Sequence, residues 1–67
     1  MNPITDYDVA EAMQMCGGSF IAQLGKAWLL ADAVNQDKLK AAFPEYWVTY
    51  SELAGMLRAR RAEPQRA

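Results

Sequence analysis

Phe43-Pro44-Glu45-Tyr46-Trp47-Val48-Thr49-Tyr50-Ser51-Glu52-Leu53-Ala54-Gly55-Met56-Leu57 is the stretch that decides the fold. Within it Phe43, Tyr46, Trp47, Tyr50, Leu53, Ala54 and Leu57 recur three or four residues apart without a gap. That is the period of one face of an α-helix, and no other stretch of the chain carries it as strongly. Pro44 disfavours a helical conformation at Phe43 and suits the first turn of a new helix. The pattern therefore predicts a helix over residues 44–60. Residues 62–67 contain Pro64 and little apolar material, and they read as a frayed tail beyond a single domain of residues 1–61.

Moving outward, each preceding segment has helical punctuation of its own. Asp32 is placed to cap a short helix over residues 33–42, with Val34, Leu39, Ala42 and Phe43 expected to face inward. Ser19 has the chemistry of an N-cap for a helix over residues 19–31. Phe20, Ile21, Leu24, Ala27, Trp28 and Ala31 give that helix one apolar face, and Leu29 and Leu30 widen it, so it needs cover on two sides. Gly25 lies inside it at a cost of about 1 kcal/mol relative to alanine. Either the glycine is merely tolerated or another helix approaches closely there. The first helix, residues 5–16, has Thr5 and Asp8 at capping-box spacing and acidic residues at the positive end of its dipole. Val9, Ala12, Met13 and Cys16 form its stripe. Gly17 and Gly18 then end it, because glycine readily takes the left-handed conformation at a helix C-terminus.

Twelve alanines and seven β-branched residues favour helix over strand. The fold expected is an all-α compact bundle of about four short helices. The whole chain is 67 residues, 52% hydrophobic and 22% charged, with a formal net charge of −1. That is one small domain, neither a large enzyme fold nor a disordered polyelectrolyte. No run has the length of a membrane span, and the first residues lack a signal-peptide pattern; a lone thiol suits a reducing cytoplasm, which is the setting expected. Cys16 is the single cysteine and histidine is absent, which excludes an intrachain disulfide, a Cys/His zinc site and a Ser-His-Asp triad within one chain. Cys16 reads as a small buried apolar side chain. For so short a chain, burial and chain ordering nearly cancel, and natural domains of this size often close the gap by oligomerising. A homo-oligomer is therefore expected, with Gly25, Leu29, Leu30 and Met56 at the interface.

Gly17-Gly18-Ser19-Phe20, then Ala31-Asp32 with Asn35, then Lys38-Leu39-Lys40-Ala41-Ala42-Phe43-Pro44-Glu45-Tyr46-Trp47 and Tyr50, resembles a family of short phage and prophage proteins. The match covers residues 6–54, and Ala42-Phe43-Pro44-Glu45-Tyr46-Trp47 is its most specific part. The resemblance brings no catalytic motif. It implies a phage accessory protein in the bacterial host cytoplasm, and by analogy a counter-defence role.

Three features are candidates for binding. Tyr46, Trp47 and Tyr50 read first as a core stripe, and second as ring faces on which a nucleobase stacks. Gly18 and Ser19 read first as a helix stop and cap, and second as free N–H groups for a phosphate, although the lysine and spacing of a P-loop are missing. Arg58 and Arg61, with Arg60 and Arg66, give residues 58–67 a net +3 where residues 1–16 carry −3. They read as a solvated helix end, or as a patch for phosphate or an acidic partner that also favours antiparallel self-association. Lys26 reaches a phosphate only from a neighbouring helix or chain.

Two functions follow as expectations for a non-enzymatic homo-oligomer. One is sequestration of a linear or cyclic nucleotide of host immune signalling, by Gly18, Ser19, Lys26, Tyr46, Trp47, Tyr50, Arg58 and Arg61. The other is inhibition of a host protein through an exposed apolar surface. A helix-turn-helix DNA reader is the remote third, disfavoured by a pI of about 5.1 and a candidate recognition segment without arginine. Glu45 and Glu52 lie on an outer helix face, and Asp32 and Asp37 read as cap and surface, so no acid/base pair stands out. No catalytic residue, metal or cofactor is expected.

Overall fold

The computed structural model describes residues 3–62, with side chains through residue 60. Four helices follow in order, α1 (Asp6–Cys16), α2 (Ser19–Leu30), α3 (Ala33–Ala42) and α4 (Pro44–Ala62), with no strand among the described residues. None of these helices is long and apolar enough to cross a membrane.

Local chemistry sets the helix starts. At α1 the Asp8 amide donates to Thr5 Oγ1 at 3.2 Å, and the Thr5 amide donates back to the Asp8 carboxylate at 2.9 Å. This is the reciprocal capping box that the Thr5/Asp8 spacing predicts. At α3 the Asn35 amide donates to Asp32 Oδ1 at 2.8 Å. At α4 the amides of Tyr46 and Trp47 both donate to the Phe43 carbonyl, while Pro44, which has no amide to satisfy, takes the first position.

The junction of α1 and α2 departs from the sequence reading. Gly17 ends α1 in extended backbone, φ −80° and ψ 158°, and no described glycine has positive φ. Glycine is needed there for space: a Cβ would lie 2.5 Å from Ile21 Cγ2 and 2.6 Å from the Met13 carbonyl oxygen. Ser19 is not the cap of α2 but its first residue. The helix begins one position earlier because the Ala22 amide reaches the Gly18 carbonyl at 2.8 Å, and Gly18 is an N-cap without a side-chain acceptor.

α1 is the centre of the fold, packed against α2 on one side and α4 on the other. Val9, Ala10, Ala12 and Met13 are buried, and Met13 is wholly enclosed. Alanines at two of these positions let the neighbouring backbones come close. Gly25 completes that approach, since a Cβ there would lie 2.6 Å from the Ala10 carbonyl oxygen and 3.0 Å from Met13 Cβ. The glycine inside α2 thus marks a helix crossing. The crossing is within the chain, so Gly25 is buried between α1 and α2 and has no surface to offer at an oligomer interface. Leu24 and Trp28 from α2, and Trp47 and Ala54 from α4, complete the core.

α3 contributes no buried residue. Leu39 and the adjoining Phe43 rest against the core, and Gln36 Nε2 donates to the Trp28 carbonyl at 3.0 Å. Val34 and Ala42, expected to face inward, are exposed. A helix this short and polar turns only one edge to the core. Cys16 is exposed as well, because it is the last residue of α1 and the chain turns away directly after it.

Candidate functional site

The structure divides the aromatic stripe of α4 between two tasks. Trp47 faces the core and is only 6% exposed. Its indole N–H donates to Asp6 Oδ1 at 3.2 Å, and its ring leans on that of Trp28, centroids 6.1 Å apart. Trp28 in turn meets the edge of Tyr7 at 5.2 Å. Neither ring face of Trp47 is open for stacking on a ligand. Tyr50 is half-buried and packed on the same core.

Tyr46 also rests against this core, half-buried, and joins a second group of rings. Its ring stacks on Phe43 at 5.7 Å with 21° between the planes, and both rings meet Phe20 edge-on, at 6.4 Å and 6.0 Å. Phe20 remains 59% exposed. The first turn of α2 and the α3–α4 junction therefore build one aromatic corner, with Gly18 and Ser19 exposed beside Phe20 in sequence. Phe20 is the functional candidate that the sequence reading placed only on a core face. Its partners lie on other helices, so no local spacing could have paired them.

The cations do not join this corner as a group. Arg58 Nη2 donates to Asp8 Oδ2 at 2.9 Å, on the carboxylate that also caps α1. Lys26 is exposed on α2. The side chain of Arg61 lies outside the described residues. Among the lysines, Lys40 is engaged with Asp6 at 3.1 Å. Of the expected interface residues, Leu29, Leu30 and Met56 are exposed, Leu30 most of all at 78%.

Several hollows mark the surface of the described residues. The one beside Arg58, lined by Asp8, Glu11, Ala54 and Leu57, has about 60 Å³, room for a few waters and not for a nucleotide. Two wider grooves of about 460 and 430 Å³ are open to solvent on either side of Lys40, Trp47 and Val48. Asp6, Ser51 and Glu52 edge the first, and Asp37, Ala41 and Pro44 edge the second. The described residues hold no His/Cys/Asp/Glu group able to bind a metal ion. The chain matches no protein-family model, no curated protein and no solved structure.

Proposed function

We propose that the chain is a non-catalytic binding protein that presses its Phe20–Phe43–Tyr46 corner into a protein partner and thereby inhibits it. The observation that carries this reading is the exposed Phe20 ring, already held by two neighbouring rings before any partner arrives. Ordering a side chain at an interface costs about 0.5–1.5 kcal/mol, and a ring supported in advance avoids much of that cost. Aromatic anchors of this kind dominate the binding energy of protein interfaces. The likeness to short phage and prophage proteins supplies the setting, the bacterial host cytoplasm, and the class of partner, a host defence or regulatory protein.

Nucleotide sequestration has weaker support. It calls for a flat ring face beside a cation, and Trp47 and Arg58 are occupied by Asp6 and Asp8. DNA reading through α3 meets a similar objection, since Lys40 is paired with Asp6.

The test is co-purification from a bacterial host with wild-type, Phe20→Ala and Tyr46→Ala proteins, beside a melting-temperature screen with linear and cyclic nucleotides. A host polypeptide retained by wild type and lost on Phe20→Ala is the expected result, with the folded state of the variant confirmed by circular dichroism. Equal retention by Phe20→Ala would sink the reading. A nucleotide that raises the melting temperature, with the shift lost on Tyr46→Ala, would put sequestration in its place.

A further inference from the structure

We infer that the outward face of α4 docks a second copy of the chain, with the two helices antiparallel and Met56 on the twofold axis. α4 is amphipathic in its packing: Trp47 and Ala54 are buried and Tyr50, Leu53 and Leu57 half-buried, while Val48, Glu52, Met56 and Arg60 stand exposed. Val48 and Met56 leave 63% and 61% of their surfaces uncovered. Beside Met56, a Cβ on Gly55 would meet nothing within 4 Å, so this side of the helix is open to an approaching backbone.

Charge selects the occupant and its direction. Glu52, Met56 and Arg60 follow one another at four-residue steps, which keeps them close to one face of the helix. The ion pairs Lys40–Asp6 and Arg58–Asp8 draw on neither Glu52 nor Arg60. The acid and the base are equally spaced about Met56. A twofold axis through Met56 therefore sets Glu52 of each helix opposite Arg60 of the other, with methionine on methionine between two ion pairs. A parallel pair would set glutamate on glutamate and arginine on arginine.

The wider field favours the same arrangement. Glu52 and Asp6 both line one groove, and the antiparallel register carries the other copy's Arg60 toward it. Residues 58–67 have a net +3 and residues 1–16 a net −3. A seam one helix wide falls at the small end of specific interfaces, so reversible association in the micromolar range is expected. The seam shares no residue with the Phe20–Phe43–Tyr46 corner, and the two proposals stand or fall separately.

Sedimentation equilibrium over a wide concentration range, with circular dichroism to verify folding, tests the inference. Wild type should show a monomer–dimer equilibrium. Glu52→Arg should raise its dissociation constant by about tenfold, and adding Arg60→Glu should restore it. Trapping tests the direction. In a Cys16→Ser background, a mixture of Glu52→Cys and Arg60→Cys proteins should oxidise to a mixed disulfide dimer, and neither protein should link to itself. A monomer at every concentration, a dimer indifferent to Glu52→Arg, or self-linking of either cysteine variant would overturn the inference. So would a monomer that binds another polypeptide through Met56, which would assign the face to that partner.

Discussion

The indole N–H of Trp47 donates to Oδ1 of Asp6 at 3.2 Å, and the same carboxylate takes the ammonium of Lys40 at 3.1 and 3.2 Å. One acidic side chain in the first turn of α1 thus holds the start of α4 and the end of α3. Its place at a helix N-terminus suits a negative charge. This contact and its burial give Trp47 the first of its two readings, a core residue, and not a stacking platform.

A comparison of the two tryptophans tests that role. Trp28 is buried with its indole N–H lacking an acceptor among the described residues, whereas the N–H of Trp47 is bonded to a carboxylate. Replacing either ring by phenylalanine removes the same atoms, so the cavity contributions are similar. Trp47→Phe loses a hydrogen bond to a charged group, and Trp28→Phe removes a buried donor that has no partner. Trp47→Phe should therefore be the more destabilising by about 1–2 kcal/mol in urea unfolding. Equal losses would mean that the Asp6 bond contributes nothing net.

The glycines of α2 and α4 should respond with opposite signs. At Gly25 an added Cβ meets the Ala10 backbone oxygen at 2.6 Å, and a carbonyl on a packed helix does not yield easily. Gly25→Ala should destabilise by about 1–3 kcal/mol despite its better helix propensity. At Gly55 the space is open, and Gly55→Ala should stabilise the monomer by about 0.5–1 kcal/mol. Thermal melts of the two variants at low concentration decide it, and a stabilised Gly25→Ala would deny the close crossing of α1 and α2.

Most of the backbone was legible because its signals are local. The four segments, the Thr5–Asp8 box, the Asp32 cap and the Phe43–Pro44 boundary each rest on residues within a turn of one another. The first three helix ends fall within a residue of expectation, and α4 runs on to Ala62. The site was legible only in its composition. Trp47 and Asp6 are forty-one residues apart, and Arg58 and Asp8 fifty. No periodicity shows that these cations and rings are taken up inside the chain, or that Phe20 joins Phe43 and Tyr46. Exposure of Cys16 and Val34 was missed for a related reason: helical spacing says which residues share a face, not whether another element reaches it.

Asp8 should matter more than the arginine it binds. Its carboxylate accepts from the Thr5 amide and from Arg58, so one side chain serves both the cap of α1 and the α1–α4 contact. Asp8→Ala should cost about 0.5–1.5 kcal/mol through its half of the capping box, with up to about 1 kcal/mol more from the partly exposed ion pair. Arg58→Ala leaves the capping box in place, and its effect should shrink in high salt. Urea titrations at two salt concentrations separate the contributions. If Arg58→Ala proves the more damaging variant at high salt, the packing of its stem outweighs its charge.

α3 should be the first helix to open. It has no buried residue, and its ties are the Gln36 bond to the Trp28 carbonyl, the Lys40–Asp6 pair and the partial cover of Leu39 and Phe43. α1, by contrast, has Ala10 and Met13 fully enclosed between two helices. Local openings take the weakest cooperative unit first, so amide hydrogen exchange should be faster across α3 than at the centre of α1. Lys40→Ala should speed exchange in α3 further and leave the slowest α1 amides nearly unchanged. The functional consequence runs through Phe43, which ends α3 and supports the Phe20 ring: each opening of α3 loosens the aromatic corner. Lys40→Ala should then weaken binding at Phe20 without touching that surface. Exchange in α3 as slow as in α1 would show that the corner is held rigid by more than these contacts.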